Sequence, residues 1–339
     1  MKRAIGLVLV AAISCKSTSS STPGADAGSG AVADAGGSVG ADAGADAGSA
    51  AANTDGGLWE GGVRVIRVYV AGESIERRNR YVAPPFLASG ALNARDGGDE
   101  RNDNDEYGWM VPLADRVALR DGGVRIEFVG AAGWLDADDN AYSGTYPSTD
   151  AGRTSAISGT DIPSWLTQRE AELTARTHCY DVAFAARGGN DYGEGDSAYK
   201  ENLKTLIARL LAGSSCQASP IVYVTGHIPD DNRAPDSGIS DSAYGTEQVS
   251  KLVTRVQAAV SEFDGGPGAR VRFVDMYTPF KNNQATTAFS SEVWSTGGVL
   301  DYDKIVRTGD RMHVRRLSSI YGGEIVADTL DLAELRALP

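Results

Sequence analysis

Val63-Arg64-Val65-Ile66-Arg67-Val68-Tyr69-Val70-Ala71-Gly72-Glu73-Ser74 decides how the rest of the chain is read. The β-branched and apolar residues from Val63 to Ala71 predict a strand buried in a sheet. Gly72 permits the sharp turn that ends it, and a serine follows two residues later. A serine so placed stands at the carboxyl edge of its strand, where open α/β sheets bind their ligands. One strand-Gly-x-Ser occurs by chance in many α/β chains, so the reading depends on what comes after it.

What comes after is a regular alternation. Further strands are predicted over Val124–Gly130, Asp181–Arg187, Pro220–Thr225 and Arg270–Met276. Between them, Tyr199, Leu203, Leu206, Ile207, Leu210 and Leu211 recur at the spacing of one helix face. Val249, Leu252, Val253, Val256, Val260 and Phe263 do the same, and a last helix is predicted from about Leu317 to Leu335. Strands alternating with helices give an α/β fold with a parallel five-stranded sheet covered on both faces. Right-handed crossovers make this a flavodoxin-like three-layer sandwich with strand order 2-1-3-4-5.

In this layout Ser74, Gly159, Asn190 and His227 fall at or just beyond strand carboxyl ends. Asp310-Arg311-Met312-His313 falls in the loop before the last helix. Residues spread over roughly 240 positions thus converge on one edge. Four blocks, Gly72-Glu73-Ser74, Ile157-Ser158-Gly159, Gly188-Gly189-Asn190-Asp191 and Asp310-Arg311-Met312-His313, resemble those of the SGNH (GDSL-type) hydrolases. That family carries Ser, Gly, Asn and His in this order on a flavodoxin-like sheet, and the resemblance spans roughly residues 63–335. It implies a serine esterase without cofactor or metal, in which Ser74 is the nucleophile, His313 the base and Asp310 the group that orients it. It also implies an oxyanion hole formed by the backbone N–H groups of Ser74 and Gly159 and the side-chain amide of Asn190. The family's usual Gly-Asp-Ser is Gly-Glu-Ser here, which leaves open how Glu73 is packed.

The residues argue for these roles on their own chemistry too. A serine hydroxyl needs a base to become a nucleophile. The chain has three histidines, His178, His227 and His313. His178 precedes a strand beside Cys179, on the opposite edge of the sheet. His227 ends a strand in Thr225-Gly226-His227-Ile228-Pro229 and reaches the active edge, where it is a candidate for the pocket wall. His313 has a carboxylate three residues upstream that can fix its tautomer and steady the imidazolium. Gly130, Gly133 and Gly144 compete with Gly159 for the oxyanion N–H. Gly159 is preferred because a helix-like stretch over Pro163–Thr177 follows it and leads into the strand bearing Asn190. Gly-Gly-Asn-Asp is also turn chemistry, with Asp191 shaping the loop. Trp109, Trp134, Trp165 and Trp294 read as core or pocket wall. Trp134 lies in an insertion and is a candidate ring for stacking on a sugar.

The 339 residues carry a formal charge of −13. Met1-Lys2-Arg3 followed by the apolar run Ala4 to Ile13 is too short to span a bilayer and reads as a signal peptide. It ends in Ala12-Ile13-Ser14-Cys15, which resembles the lipobox of bacterial lipoproteins. That resemblance implies an acylated Cys15 and export to a membrane, the outer membrane or cell surface given Lys16. Residues 16–57 repeat Ala-Asp-Ala-Gly and have too few large apolar side chains to fold, so they read as a disordered tether ahead of a domain over 58–339. Two basic residues precede Cys15, and the tether adds one lysine and five aspartates, so −11 belongs to the domain. That charge argues against nucleic acid and anionic headgroups as partners and suits a neutral ester of a small molecule or polysaccharide. Membrane contact is then through the lipid anchor alone.

Cys179 and Cys216 each lie just ahead of a strand, and those strands are predicted neighbours. In an exported protein, thiols so placed favour a disulfide, away from the active edge; two free buried thiols are the alternative. No His or Cys recurs at metal-ligand spacing. Polar insertions over 79–107 and 131–155 decorate the active edge. Asp136-x-Asp138-x-Asn140 opens like a calcium loop, but Ala141 and Pro147 replace its glycine and its closing glutamate, which favours plain solvated loops. The acidic rim and the tryptophan tilt the substrate toward acetyl or other short acyl groups on carbohydrate. Lipid or aryl esters, and a non-catalytic carbohydrate-binding lipoprotein, are the alternatives.

Overall fold

The computed structural model describes residues 57–81, 83–95, 107–134, 153–187, 189–191, 194–230, 253–263, 269–284, 287–289, 291–306 and 313–339, with 291 and 313 opening their segments. Cys15, residues 16–56 of the tether, Asp136 to Asn140, Gly144, Gly188, Val249, Leu252 and Asp310 to Met312 lie outside the described residues. All the described residues fall in one unit, Ser49–Pro339.

Five strands run parallel: β1 (Val63–Ala71), β2 (Val124–Val129), β3 (Val182–Ala186), β4 (Ile221–Thr225) and β5 (Val271–Val274). β1 pairs with β2 on one side and β3 on the other, β3 with β4, and β4 with β5, so the order is 2-1-3-4-5. Each strand lies where the sequence predicts it, shorter by at most a residue or two at its ends. A two-residue strand, Trp59–Glu60, adds an antiparallel turn to the start of β1.

Alternation along the strands builds two cores. Ile66, Val68, Val70, Val182, Phe184, Ile221 and Tyr223 pack on one face with α2 (Met110–Arg120) and the long C-terminal helix Arg316–Thr329. Tyr69, Ala71, Ala183, Ala185, Val222 and Val224 pack on the other with α3 (Ile162–Thr174), α4 (Asp196–Ala212) and a helix over 253–260. On α4, Tyr199, Leu203, Leu206, Ile207 and Leu210 are fully buried. Burying five such side chains stabilises the packing by roughly 10 kcal/mol, an upper figure because unfolded chains are partly compact.

Two arginines interrupt the apolar run of β1, and the amino-terminal end of the sheet is built to receive them. Arg67 donates from Nε and Nη2 to Asp181, each at 3.1 Å, and its backbone N–H reaches the same carboxylate at 2.8 Å. Arg64 is fully buried and donates to the Leu338 carbonyl at 2.9 Å. Beside them, Cys179 and Cys216 form a disulfide with a Cα–Cα distance of 4.9 Å, joining the leads into β3 and β4.

Candidate active site

The turn that carries Ser74 is a short helix that begins as β1 ends. Glu73 is the N-cap of α1 (Ser74–Arg77), and the Glu76 carboxylate accepts the Glu73 backbone N–H at 2.8 Å in a capping box. Ser74 is the first helical residue, so its own N–H has no carbonyl within the helix to donate to. Its side chain is half-buried, while Ile75 and Glu76 behind it are buried. Burial pushes the Glu76 carboxyl upward, although the Glu73 N–H and the Trp109 indole N–H at 2.7 Å favour its anion.

Glu73, 3% exposed, joins this turn to the turn after β3. It accepts three hydrogen bonds there: from the Gly189 N–H at 3.0 Å, the Asn190 N–H at 3.1 Å and the Asn190 side-chain amide at 2.6 Å. An amide nitrogen carries two hydrogens, so one remains for a ligand. The longer glutamate in place of the family's aspartate fits because residue 189 is glycine. A Cβ there would stand 2.9 Å from both Glu73 Oε2 and His227 Nε2.

A second buried ion makes the other junction. Arg187, 1% exposed, donates to the Gly72 carbonyl at 2.8 Å, to Thr160 Oγ1 at 3.4 Å and to the Thr160 carbonyl. It thereby ties the Ser74 turn to the residue after Gly159. Gly159 itself sits exposed in a left-handed turn with φ +68°. The segment leading to it runs beside the end of β1, with Ser155 N–H to the Val70 carbonyl at 3.2 Å and Ile157 N–H to the Gly72 carbonyl at 3.1 Å. Of its competitors, Gly130 packs tightly on the backbone of Thr154 and Ser155, Gly133 sits in a two-residue strand paired antiparallel with Arg153–Thr154, and Gly144 is outside the described residues. Asp191 accepts the Ile162 N–H at 2.8 Å and so pins the Asn190 turn to the start of α3, the shaping role its sequence position suggests.

His313 is half-buried, directly ahead of a bridge between Val306 and Val314 that closes the base of its loop. The Arg315 N–H donates to the Ile305 carbonyl at 3.0 Å, and the helix Arg316–Thr329 follows. The Tyr81 hydroxyl reaches Ser319 Oγ at 3.1 Å and Arg316 donates to the Asn93 carbonyl at 2.9 Å. These contacts bring the first turns of that helix against the chain that leaves Ser74. Asp310, assigned to orient the imidazole, lies outside the described residues.

His178 lies beyond the other end of the sheet, its Nε2 3.8 Å from Glu172. The two pocket candidates are both buried. His227 is about nine-tenths buried beneath the Gly189–Asn190 turn instead of lining an open wall, because its Nδ1 is drawn to the Ile228 carbonyl at 3.0 Å and lies 3.4 Å from Asp230. Trp134 is 3% exposed and packs edge-to-face on Phe128 at 5.6 Å, which leaves no open ring face for a sugar. Trp109, Trp165 and Trp294 are core residues as well. The sequence reading missed the Glu73, Arg187 and His227 contacts. Its one signal for them was the glutamate where aspartate is usual, followed far along the chain by two glycines that make room for it.

Among the described residues, no group of His, Cys, Asp and Glu side chains is arranged to hold a metal ion, and no helix is long and apolar enough to cross a membrane. A cavity of about 470 Å³ opens between β5 and the last long helix, lined in part by Asp275, Tyr321, Glu324 and Asp328. Its acids are already engaged: Arg116 pairs with Glu324 at 3.1 Å, and Asp275 accepts the Tyr277 and Thr278 N–H groups.

No family model and no curated protein matches this chain. Solved structures similar to it include a family 3 carbohydrate esterase of Clostridium thermocellum, at 17% identity and TM-score 0.48, covering 81% of this chain and 98% of that one. Another is a family 3 carbohydrate esterase of Talaromyces cellulolyticus, at 13% identity and TM-score 0.48, covering 80% and 98%. The aryl esterase of M. smegmatis is similar at 15% identity and TM-score 0.42, covering 81% and 100%. What the site can do is carried by its own residues: a half-buried serine opening a helix, an asparagine amide bonded to the residue before that serine, and a histidine ahead of the last long helix.

Proposed function

We propose that this protein is a serine esterase that hydrolyses carboxylic esters through an acyl-enzyme. The observation that carries this reading is the set of three hydrogen bonds by which Glu73, the residue before Ser74, holds Gly189 and Asn190. Nucleophile and amide donor, far apart in sequence, are thereby fixed to one another. In the proposed reaction Ser74 Oγ attacks the ester carbonyl carbon while His313 takes its proton, with Asp310 orienting the ring. The charge that gathers on the carbonyl oxygen is met by Asn190 Nδ2 and the N–H groups of Ser74 and Gly159. His313 returns the proton to the departing alcohol, leaving an acylated serine. A water activated by the same histidine then releases the acid and restores Ser74.

The substrate we assign is a short acyl ester, acetyl first, on carbohydrate. The acidic balance of the domain supports a neutral substrate; Trp134, packed on Phe128, gives the sugar no support. We also assign the domain to the cell exterior, anchored through a lipidated Cys15. The test is hydrolysis of p-nitrophenyl esters from acetate to palmitate, with acetylated xylan alongside. Ser74→Ala and His313→Ala should abolish turnover, and Asn190→Ala should lower kcat by roughly 10²–10³-fold with little change in KM. A folded Ser74→Ala variant with the wild-type rate would overturn the reading. Preference for palmitate over acetate would overturn the substrate class alone.

A further inference from the structure

We propose that His227 is a positioning residue for the oxyanion hole, acting on Asn190 through Glu73; the inference rests on the esterase reading for its catalytic consequence. The argument begins with the tautomer. His227 Nδ1 lies 3.0 Å from the Ile228 carbonyl oxygen, which can only accept, so Nδ1 carries a hydrogen. The atom free to gain or lose a proton is therefore Nε2. That nitrogen and Glu73 Oε2 face the same point, each 2.9 Å from the position a Cβ on Gly189 would occupy. Glu73 is the acceptor of all three hydrogen bonds that seat Gly189 and Asn190. A change of charge at Nε2 is thus felt by the carboxylate that holds the amide donor.

Among the described residues, three carboxyl groups face the ring: Asp230 from the loop beyond β4, and Glu73 and Glu76 from the nucleophile turn. Asp191 and Glu73 repel one another, while Arg187 acts on Asp191 in the opposite sense. Burial opposes a charge on His227, but the three carboxyls outweigh it and hold the imidazolium above its ordinary range. The ring is accordingly a counter-charge within a buried acidic group. Once it is neutral, as pH rises, Glu73 faces Glu76, Asp191 and Asp230 without that counter-charge. Its hold on the Asn190 turn then loosens. The consequence for catalysis is loss of kcat on the alkaline side, because the amide donor is needed most in the transition state.

The experiment follows the Asn190 side-chain amide by NMR in the full-length protein across pH, its signal assigned by its absence in Asn190→Ala. The His227 ring nitrogens are followed in the same samples. The expected result is that the Asn190 amide signal shifts with the same midpoint as His227 and no longer does so in His227→Gln. An Asn190 signal that stays flat through the His227 titration overturns the proposal, and this wild-type measurement holds even if His227→Gln does not fold. In parallel, kcat for p-nitrophenyl acetate should fall about tenfold above that midpoint, with KM unchanged, and His227→Gln should lose this alkaline limb. Coupling of the two signals in a protein without Ser74-dependent hydrolysis would sink the esterase reading and leave the positioning role standing. Hydrolysis with a flat Asn190 signal would do the reverse.

Discussion

At Asp191 the two carboxylate oxygens have different fates. One accepts the Ile162 N–H at 2.8 Å; the other is buried with no hydrogen-bond partner among the described residues. Burial therefore pushes the carboxyl up to about 7 from an ordinary 3.8, against the pull of the Ile162 N–H and with Glu73 adding to the rise. The folded state then holds a proton that the unfolded chain releases near pH 4. The stability this contributes is fully present below about pH 4 and is lost as pH rises to about 7, by up to about 4 kcal/mol. The melting temperature should fall across that window. Asp191→Asn keeps the acceptor for Ile162 and removes the titration, so it should flatten the slope, as thermal melts from pH 4 to 8 would show. An unchanged slope would clear Asp191 of the effect. The sequence placed this residue in the turn. The orphaned oxygen is set by where α3 docks, and no local pattern encodes that.

At the scale of elements, the strands were legible because each is a short run of β-branched and apolar residues bounded by turn residues. Their order follows from right-handed crossovers. Helix ends were less so. The last helix, expected to run from about Leu317 to Leu335, stops at Thr329 with Leu330 extended, and Asp331 caps a new short helix, Leu332–Arg336, by accepting the Glu334 N–H at 3.0 Å. Buried Leu330 and Leu332 keep the apolar pattern going through the break, so periodicity alone runs the two helices together. The expected pairing of Cys179 with Cys216 holds. The bridge closes a separation of 37 residues, which the chain-entropy account equates with about 4 kcal/mol. Reduction should lower the melting temperature by several degrees. At temperatures where the reduced protein stays folded, kcat should not change, because the bridge joins the amino-terminal ends of β3 and β4 and the site lies at their carboxyl ends. A loss of kcat in a fully folded reduced protein would contradict that separation.

Over the whole molecule, the sheet is assembled from distant pieces: β1 sits between β2 and β3, and its Arg67 is paired with Asp181 across 114 residues. The sequence made this arrangement legible in outline through the spacing of its strands and its four blocks. It did not reveal which side chains lock the blocks together, since Arg187 reads as an ordinary charged residue and Glu73 as an unusual one whose partners are set only by the fold. Their contacts set a clock. Helices such as α4 need only local contacts and form early, whereas Glu73 meets residues 116 and 117 positions away and Arg187 ties the same turn to the Thr160 segment. Recovery of ester turnover after dilution from denaturant should therefore lag behind recovery of helical circular dichroism. Equal rates for the two signals would mean that the junction forms with the helices. On the proposed function the protein reports on its own completion: turnover registers the closing of the last long-range contacts, and a chain that has regained its helices alone remains silent.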